Sequence, residues 1–161
     1  MLFRSATTYT GTGSSLAITN TVSSTSFKPD LVWIKSRSAA TDNTVYDSVR
    51  GAQSRLETNN TDAQVTSDGG LTSFDTSGFT VSTLAQVNTN TATYVAWQWQ
   101  AGQGTTSSNT SGSITSTVSV NATAGFSVVT YTGTGVAATI GHGLGVAPSF
   151  IITKARGSSA N

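Results

Sequence analysis

The sequence predicts an all-β protein, an antiparallel β-sandwich or jelly roll, from three observations. Strong helix formers are scarce, since Glu and Met each occur once in 161 residues while Ser and Thr make up about a third of the chain. Short β-type runs alternate with turn residues at close intervals. Hydrophobic residues make up 36% of the chain, and the three Trp, four Tyr and six Phe are spaced along it, which argues against low-complexity disorder.

The pattern of β-branched and apolar residues locates the strands. A weak first strand covers Leu2–Tyr9. The other predicted strands, in chain order, are Leu16–Thr19, Leu31–Lys35, Thr44–Val49, Gly78–Ser82, Thr91–Gln100, Ser113–Val120, Gly125–Tyr131, Ala138–Ile140 and Phe150–Lys154. Ser67–Gly70 and Thr76–Gly78 are turns, because Gly supplies positive φ and Asp or Ser bonds the local backbone. A short helical turn is expected only within Ser48–Arg55.

Two motifs occur twice in the same order. Tyr9-Thr-Gly-Thr-Gly13 recurs as Tyr131-Thr-Gly-Thr-Gly135, and the strand that begins at Pro29 and ends in Lys-Ser-Arg37 has a counterpart from Pro148 to Arg156. The repeating unit is therefore about 120 residues long, and the chain holds one full unit and the first third of another.

This repeat sets the predicted organisation. Residues 1–100 form a first β-sandwich unit, residues 101–113 form a connector rich in Gly, Ser and Thr, and residues 114–161 begin a second unit. The partial unit is explained either by a fragment of a longer repeat protein or by strands that pack on the first unit or pair with a neighbouring subunit.

Charged residues are only 9% of the chain, against roughly a quarter in a typical soluble protein, and the net charge is +1. Eight scattered basic residues are too few for a nucleic-acid footprint, and no apolar run approaches the roughly 20 residues of a membrane helix. Without Cys, and with a single His, a disulfide scaffold, a thiol nucleophile and a multi-histidine metal centre are excluded. The sequence thus predicts no catalytic residues, no metal and no cofactor.

The tryptophans are the main candidates for a binding site. Period-two alternation places Trp97 and Trp99 on one face of their strand and Tyr94 and Gln98 on the other. The favoured interpretation is that the two indoles form the sandwich core. The alternative is that Trp33, Tyr94, Trp97 and Trp99 stack on sugar rings.

The acids and arginines admit an enzymatic interpretation and a structural one. Glu57 with an aspartate would supply the two carboxylates of a glycoside hydrolase, but nothing in the spacing selects such a pair. The arginines Arg37, Arg50 and Arg55 would bind a phosphate or carboxylate in a second functional interpretation, whereas the structural interpretation pairs Arg50 with Asp47 and Arg55 with Glu57.

Two further features are interpreted as turns. His142 aligns with Asn20 in the repeat, and both residue types are enriched at left-handed backbone positions. Asp42–Asp47, or Asp62 with Asn59 and Asn60, would offer oxygens to calcium, but capping of turns by Asx side chains is favoured because no EF-hand-like loop is present.

The ordered motifs resemble a known family. They include the repeated Tyr-Thr-Gly-Thr-Gly, the strands after Pro29 and after Gly125, and Tyr94-Val-Ala-Trp97. Together they resemble structural domains common in tail fibres and other virion proteins of marine and cyanobacterial phages, often related to concanavalin A-like jelly rolls. The chain departs from that pattern at Trp97-Gln-Trp-Gln-Ala-Gly102, where similar sequences read Trp-Cys-Trp-Lys-Ala-Gly.

The resemblance implies a structural or receptor-contacting role and transfers no catalytic residues. We therefore expect a non-enzymatic virion component at the particle surface, which associates with itself or with other virion proteins. The alternative is a carbohydrate-binding module for host surface glycans. Neither role involves nucleic acid or membrane insertion.

Overall fold

A computed structural model describes residues 4–20 and 25–157. Within these ranges the regular elements are β1 (Arg4–Thr10), β2 (Leu16–Thr19), β3 (Leu31–Ser36), β4 (Thr44–Asp47), β5 (Ser54–Glu57), β6 (Val65–Thr66), β7 (Leu71–Asp75), β8 (Gly78–Val81), α1 (Ala85–Asn88), β9 (Thr93–Trp99), β10 (Ser107–Asn109), β11 (Ser116–Asn121) and β12 (Phe126–Tyr131). Leu2 and Phe3 of the predicted first strand, and residues 158–161 of the predicted second unit, lie outside the described ranges.

The strands form three sheets. The first has the order β1-β9-β3-β4-β5-β6, the second β2-β8-β7 and the third β10-β11-β12. Every pairing between these strands is antiparallel. The predicted fold class is confirmed: the protein is nearly all-β, with antiparallel sheets consistent with a β-sandwich.

The main core lies between the first two sheets. Alternation along β3 buries Val32 and Ile34 and turns Trp33 and Lys35 outward. The buried cluster draws on both sheets and the short helix and consists of Ile18, Val32, Ile34, Tyr46, Leu71, Phe79, Val81, Val87, Tyr94 and Ala96. No helix in the described part of the chain is long and apolar enough to cross a membrane.

Two predicted strands near the C-terminal end are wrong. Residues 150–154 form no strand, and within 138–140 only Ile140 forms a bridge, to Ile114. The repeat counterpart of 150–154 is β3, which is hydrogen-bonded to β9 on one side and to β4 on the other. No described strand flanks 150–154 in this way, so its backbone has no ladder to join.

The predicted helical turn is also misplaced. Residues 48–50 form a turn, but Ser54 already belongs to β5, and the helix lies at Ala85–Asn88. Strand β7 was not predicted at all. Its run Leu-Thr-Ser-Phe-Asp is weakly apolar, and its pairing with β8, which includes a register shift, forms it.

The buried Asp30 carboxylate joins the end of the first sheet to the residues that follow it. It accepts five hydrogen bonds, from the amides of Ala101, Gln103 and Gly104 and the hydroxyls of Ser48 and Ser119. These donors spread the negative charge, and no ion pair within residues 4–20 and 25–157 includes Asp30. Residues 101–104 are therefore fixed, and the predicted connector also contains β10.

Candidate functional site

The outer face of the first sheet carries the tryptophans. Trp33 on β3 pairs in register with Trp97 on β9, and their rings meet edge to face at 6.3 Å and 75°. The Trp33 indole N–H donates to Asn43 Oδ1 at 3.2 Å, which fixes its ring. The Trp97 side chain is 38% exposed. One held indole thus supports a second indole that faces solvent.

The interpretation of Trp97 and Trp99 as core residues is wrong, because β9 turns its other face inward. Tyr94, Ala96 and Gln98 are buried. Gln98 is accommodated in the interior by polar partners: its Oε1 accepts from Asn20 at 2.8 Å and its Nε2 donates to Thr7 at 3.1 Å. A satisfied amide can be buried at little cost, and the larger indoles then lie outside.

Tyr94 does not belong to the candidate site. It is 1% exposed on the core side of β9, and its ring stacks on Tyr9 at 5.1 Å. Its hydroxyl donates to the Ala85 carbonyl at 3.0 Å and accepts from the Thr89 amide at 2.8 Å. Burial, and then the neighbouring Tyr94 and Tyr46, raise the pKa of Tyr9 well above its ordinary value.

A groove lies beside Trp97 and Trp99. It has a volume of about 290 Å³ and is lined by Arg4, Ser5, Ala6, Trp97, Gln98 and Trp99. The Trp99 ring is stacked on Phe126 of the third sheet, with centroids 6.2 Å apart, so that end of the face is covered. Trp33, Trp97 and Trp99 are therefore brought together, and the available surface centres on Trp97.

Arg4 is the charged residue of this groove, and no sequence motif points to it. It is exposed at the start of edge strand β1, opposite Trp99 in the register, and the next outward residue, Ala6, lies opposite Trp97. The signal was the alternation of β1, which places Arg4 and Ala6 on one face.

The predicted ion pairs are confirmed. Arg50 pairs with Asp47, and Arg55 pairs with both Glu57 and Asp68. Glu57 is buried, and its two carboxylate oxygens accept from Arg55, Gln86 and Asn60. The acid on which the hydrolase interpretation depended is thus surrounded by internal donors.

The oxygen-rich segments considered for calcium bond to amides. Asp42 accepts from Asn59 at 2.8 Å and from Gln86 at 3.1 Å, and the Asn60 side chain accepts from the Asp62 amide at 3.0 Å. Among the described residues no group of three or more His, Cys, Asp or Glu is placed to hold a metal ion.

His142 directly precedes a bend at Gly143 and lines a second, open concavity with Ser111, Ile140 and Val146. Its Nδ1 accepts from the Leu144 amide at 3.2 Å. The expected left-handed backbone is found not at His142 or Asn20 but at Gly143 and Gly145, each at φ 76°. Asn20 instead uses its side chain to bridge Phe27 and Gln98.

These features define a nearly all-β protein whose antiparallel sheets enclose an apolar core and present an aromatic outer face. The chain belongs to the family described as domain of unknown function DUF7483, whose profile matches residues 2–161. No curated protein and no solved structure matches it.

Proposed function

We propose that the protein is a non-enzymatic structural module of an extracellular assembly, and specifically a virion component such as a phage tail fibre or decoration protein. In this proposal the sandwich is of the jelly-roll type, and copies of the chain associate through the second, partial unit. The resemblance of its motifs to phage virion domains supports the proposal that the protein is part of a virion.

The observation that carries the proposal is an exposed apolar run. Phe150, Ile151 and Ile152 are 78%, 68% and 63% exposed. In the repeat they align with Leu31, Val32 and Trp33 at the centre of the first sheet. Residues 150–152 belong to no strand, and none of the backbone hydrogen bonds found between described residues includes them. Such an exposed apolar segment recruits a partner, and burial of its side chains contributes about 25 cal/mol per Å² of apolar area.

A second copy of the chain is the proposed occupant. The run is followed by Lys154, whose Nζ donates to the Asn60 carbonyl at 2.8 Å, and the Arg156 carbonyl accepts from the Gln64 amide at 2.9 Å. These two contacts tether the segment to the first unit. Each copy therefore presents the same apolar run in the same place, which suits a symmetric contact.

Analytical ultracentrifugation across a range of concentrations tests this association. We expect the wild type to associate, and Ile151→Asp to sediment as a folded monomer. Val136→Asp is the matched control, because Val136 is 75% exposed and its repeat counterpart, Ser14, is a polar exposed residue. A wild type that stays monomeric at high concentration and is absent from particles would refute the proposal.

The second candidate function is recognition of host surface glycans, and exposed Trp97 is the observation that favours it. The apolar C–H face of a sugar ring packs on an indole, and Trp33 holds that indole from one side. Such a site is compatible with a structural role, since a fibre that contacts a host needs both.

A further inference from the structure

We infer that the groove beside Trp97 binds a carboxylate-bearing sugar, as found in polyuronates and sialylated glycans, and that Arg4 holds the carboxylate. The inference deepens the second candidate function, on which it rests. It assigns a chemical class of ligand to a surface that the tryptophans alone would leave open to any sugar.

Arg4 is placed to contact a ligand in the groove. It is exposed and stands at the rim of the groove, opposite Trp99 in the pairing of β1 with β9. The guanidinium has five N–H donors in a planar fork that matches a carboxylate. None of the ion pairs between described residues includes Arg4.

The surface next to Arg4 leaves the Trp97 indole open to a ligand. Ala6 is the residue opposite Trp97, and its methyl group leaves the neighbouring indole uncovered on the β1 side. The outward rows of a strand are about 6.8 Å apart, so Arg4 stands one row from Trp97. A sugar ring that packs on Trp97 therefore brings a carboxyl substituent within reach of the Arg4 side chain.

The charged side chains on either side of Trp97 are both basic. Lys35 stands one row beyond Trp33 on the side away from Arg4, paired with Val95, and its Nζ donates to the carbonyls of Ser36 and Ala39. The acid in line with Arg4, Asp47, is engaged by Arg50. Trp97 thus lies between two cations, and its own row of Ala6, Trp33 and Val45 contains no acid, which favours an anionic ligand.

Two basic residues, Arg4 and Lys35, are too few for the face to bind nucleic acid. Two basic side chains at opposite ends of an aromatic face neutralise few phosphates, whereas binding to nucleic acid draws its affinity from many. A sugar acid needs one bidentate contact and one stacking surface, and the groove offers both.

The test compares acidic polysaccharides with their own neutral forms. Polygalacturonate and polysialic acid are titrated into the full chain by calorimetry, each beside a sample in which its carboxyl groups have been reduced to alcohols. We expect at least one acidic polymer to bind at least tenfold more tightly than its reduced form. Arg4→Gln should abolish that difference, and Trp97→Ala should abolish binding of both forms.

Arg37→Gln is the matched control, because it removes the same charge from an exposed arginine outside the groove and should leave binding unchanged. Circular dichroism establishes that each variant is folded. Equal binding of acidic and reduced polymers would overturn the inference and leave glycan recognition standing. Absence of binding to all four polymers would overturn both, and an equal loss in Arg37→Gln and Arg4→Gln would assign the effect to net charge.

Discussion

The Ser119 hydroxyl donates a hydrogen bond of 3.1 Å to the Asp30 carboxylate, across 89 residues of chain. Both residues are fully buried. Because the same carboxylate also accepts the amides of Ala101, Gln103 and Gly104, one side chain connects the first sheet, the loop after β9 and the third sheet.

Asp30→Asn should lower the free energy of unfolding by about 3 kcal/mol or more, since hydrogen bonds to a charged acceptor contribute about 1.5–3 kcal/mol each and an amide NH₂ would face N–H donors. Asp75→Asn is the control: within the described part of the chain, Asp75 accepts from two hydroxyls, of Ser73 and Thr80, which can rotate. We expect a loss below about 1 kcal/mol there. Urea denaturation measures both, and equal losses would contradict the role given to Asp30.

Tyr46→Phe should leave stability unchanged or raise it by about 1 kcal/mol, because the buried Tyr46 hydroxyl has no hydrogen-bond partner among the described residues. Burial is the main cause that raises the pKa of Tyr46, and the Leu71 backbone opposes that rise without reaching hydrogen-bond geometry. Tyr94→Phe, which removes a hydroxyl with two partners, should cost about 1–3 kcal/mol. Thermal melts rank the two variants, and a larger loss in Tyr46→Phe would show that its hydroxyl is bonded.

The protein should lose stability in alkali. Burial is the main cause that raises the pKa of Tyr9, and burial followed by the Asp68 carboxylate raises that of Tyr46. A raised folded-state pKa means that the folded protein holds the phenolic proton more tightly, so this stability is complete below the ordinary value near 10 and is lost as pH rises above it. Urea midpoints at increasing pH measure the loss.

The double variant Tyr9→Phe, Tyr46→Phe should flatten that alkaline slope, and Tyr131→Phe, at a tyrosine that is 40% exposed, should leave it unchanged. An identical slope in all three proteins would contradict the assignment.

Trp97→Ala should cost about 1 kcal/mol, because the residue is 38% exposed and its ring meets Trp33 edge to face rather than lying in the core. Phe79→Ala should cost about 3–5 kcal/mol, since Phe79 is completely buried between the sheets. Denaturation of the two variants checks which face of β9 is the core. The reverse ranking would restore the interpretation of the indoles as core residues.

Alternation predicted the existence of β9 but not its orientation. A strand over Thr91–Gln100 is predicted and Thr93–Trp99 is found. The period of two is a local property of the chain, so it identifies the strand without indicating which face is buried. Which face is inward depends on partners far along the chain. Asn20 and Thr7 form hydrogen bonds with the Gln98 amide, and no sequence pattern near residue 98 indicates these partners.

Contacts between residues close in the sequence were predictable, and contacts between distant residues were not. The pairing of Arg50 with Asp47 was predictable because the residues are three apart along the chain. The Asp30 interactions join residues 18, 71, 73, 74 and 89 positions apart, and a single sequence gives no sign of them. Strand β7 likewise depends on its partner β8 rather than on its own composition.

The edge-to-face pair of Trp33 and Trp97 has a spectroscopic consequence. All three tryptophans lie on the outer face, while the buried cluster between the sheets contains Tyr and Phe but no Trp. Intrinsic indole fluorescence will therefore report on events at the surface. Its emission should shift when a ligand covers Trp97 or when Trp99 loses Phe126, and it should respond only indirectly to melting of the core.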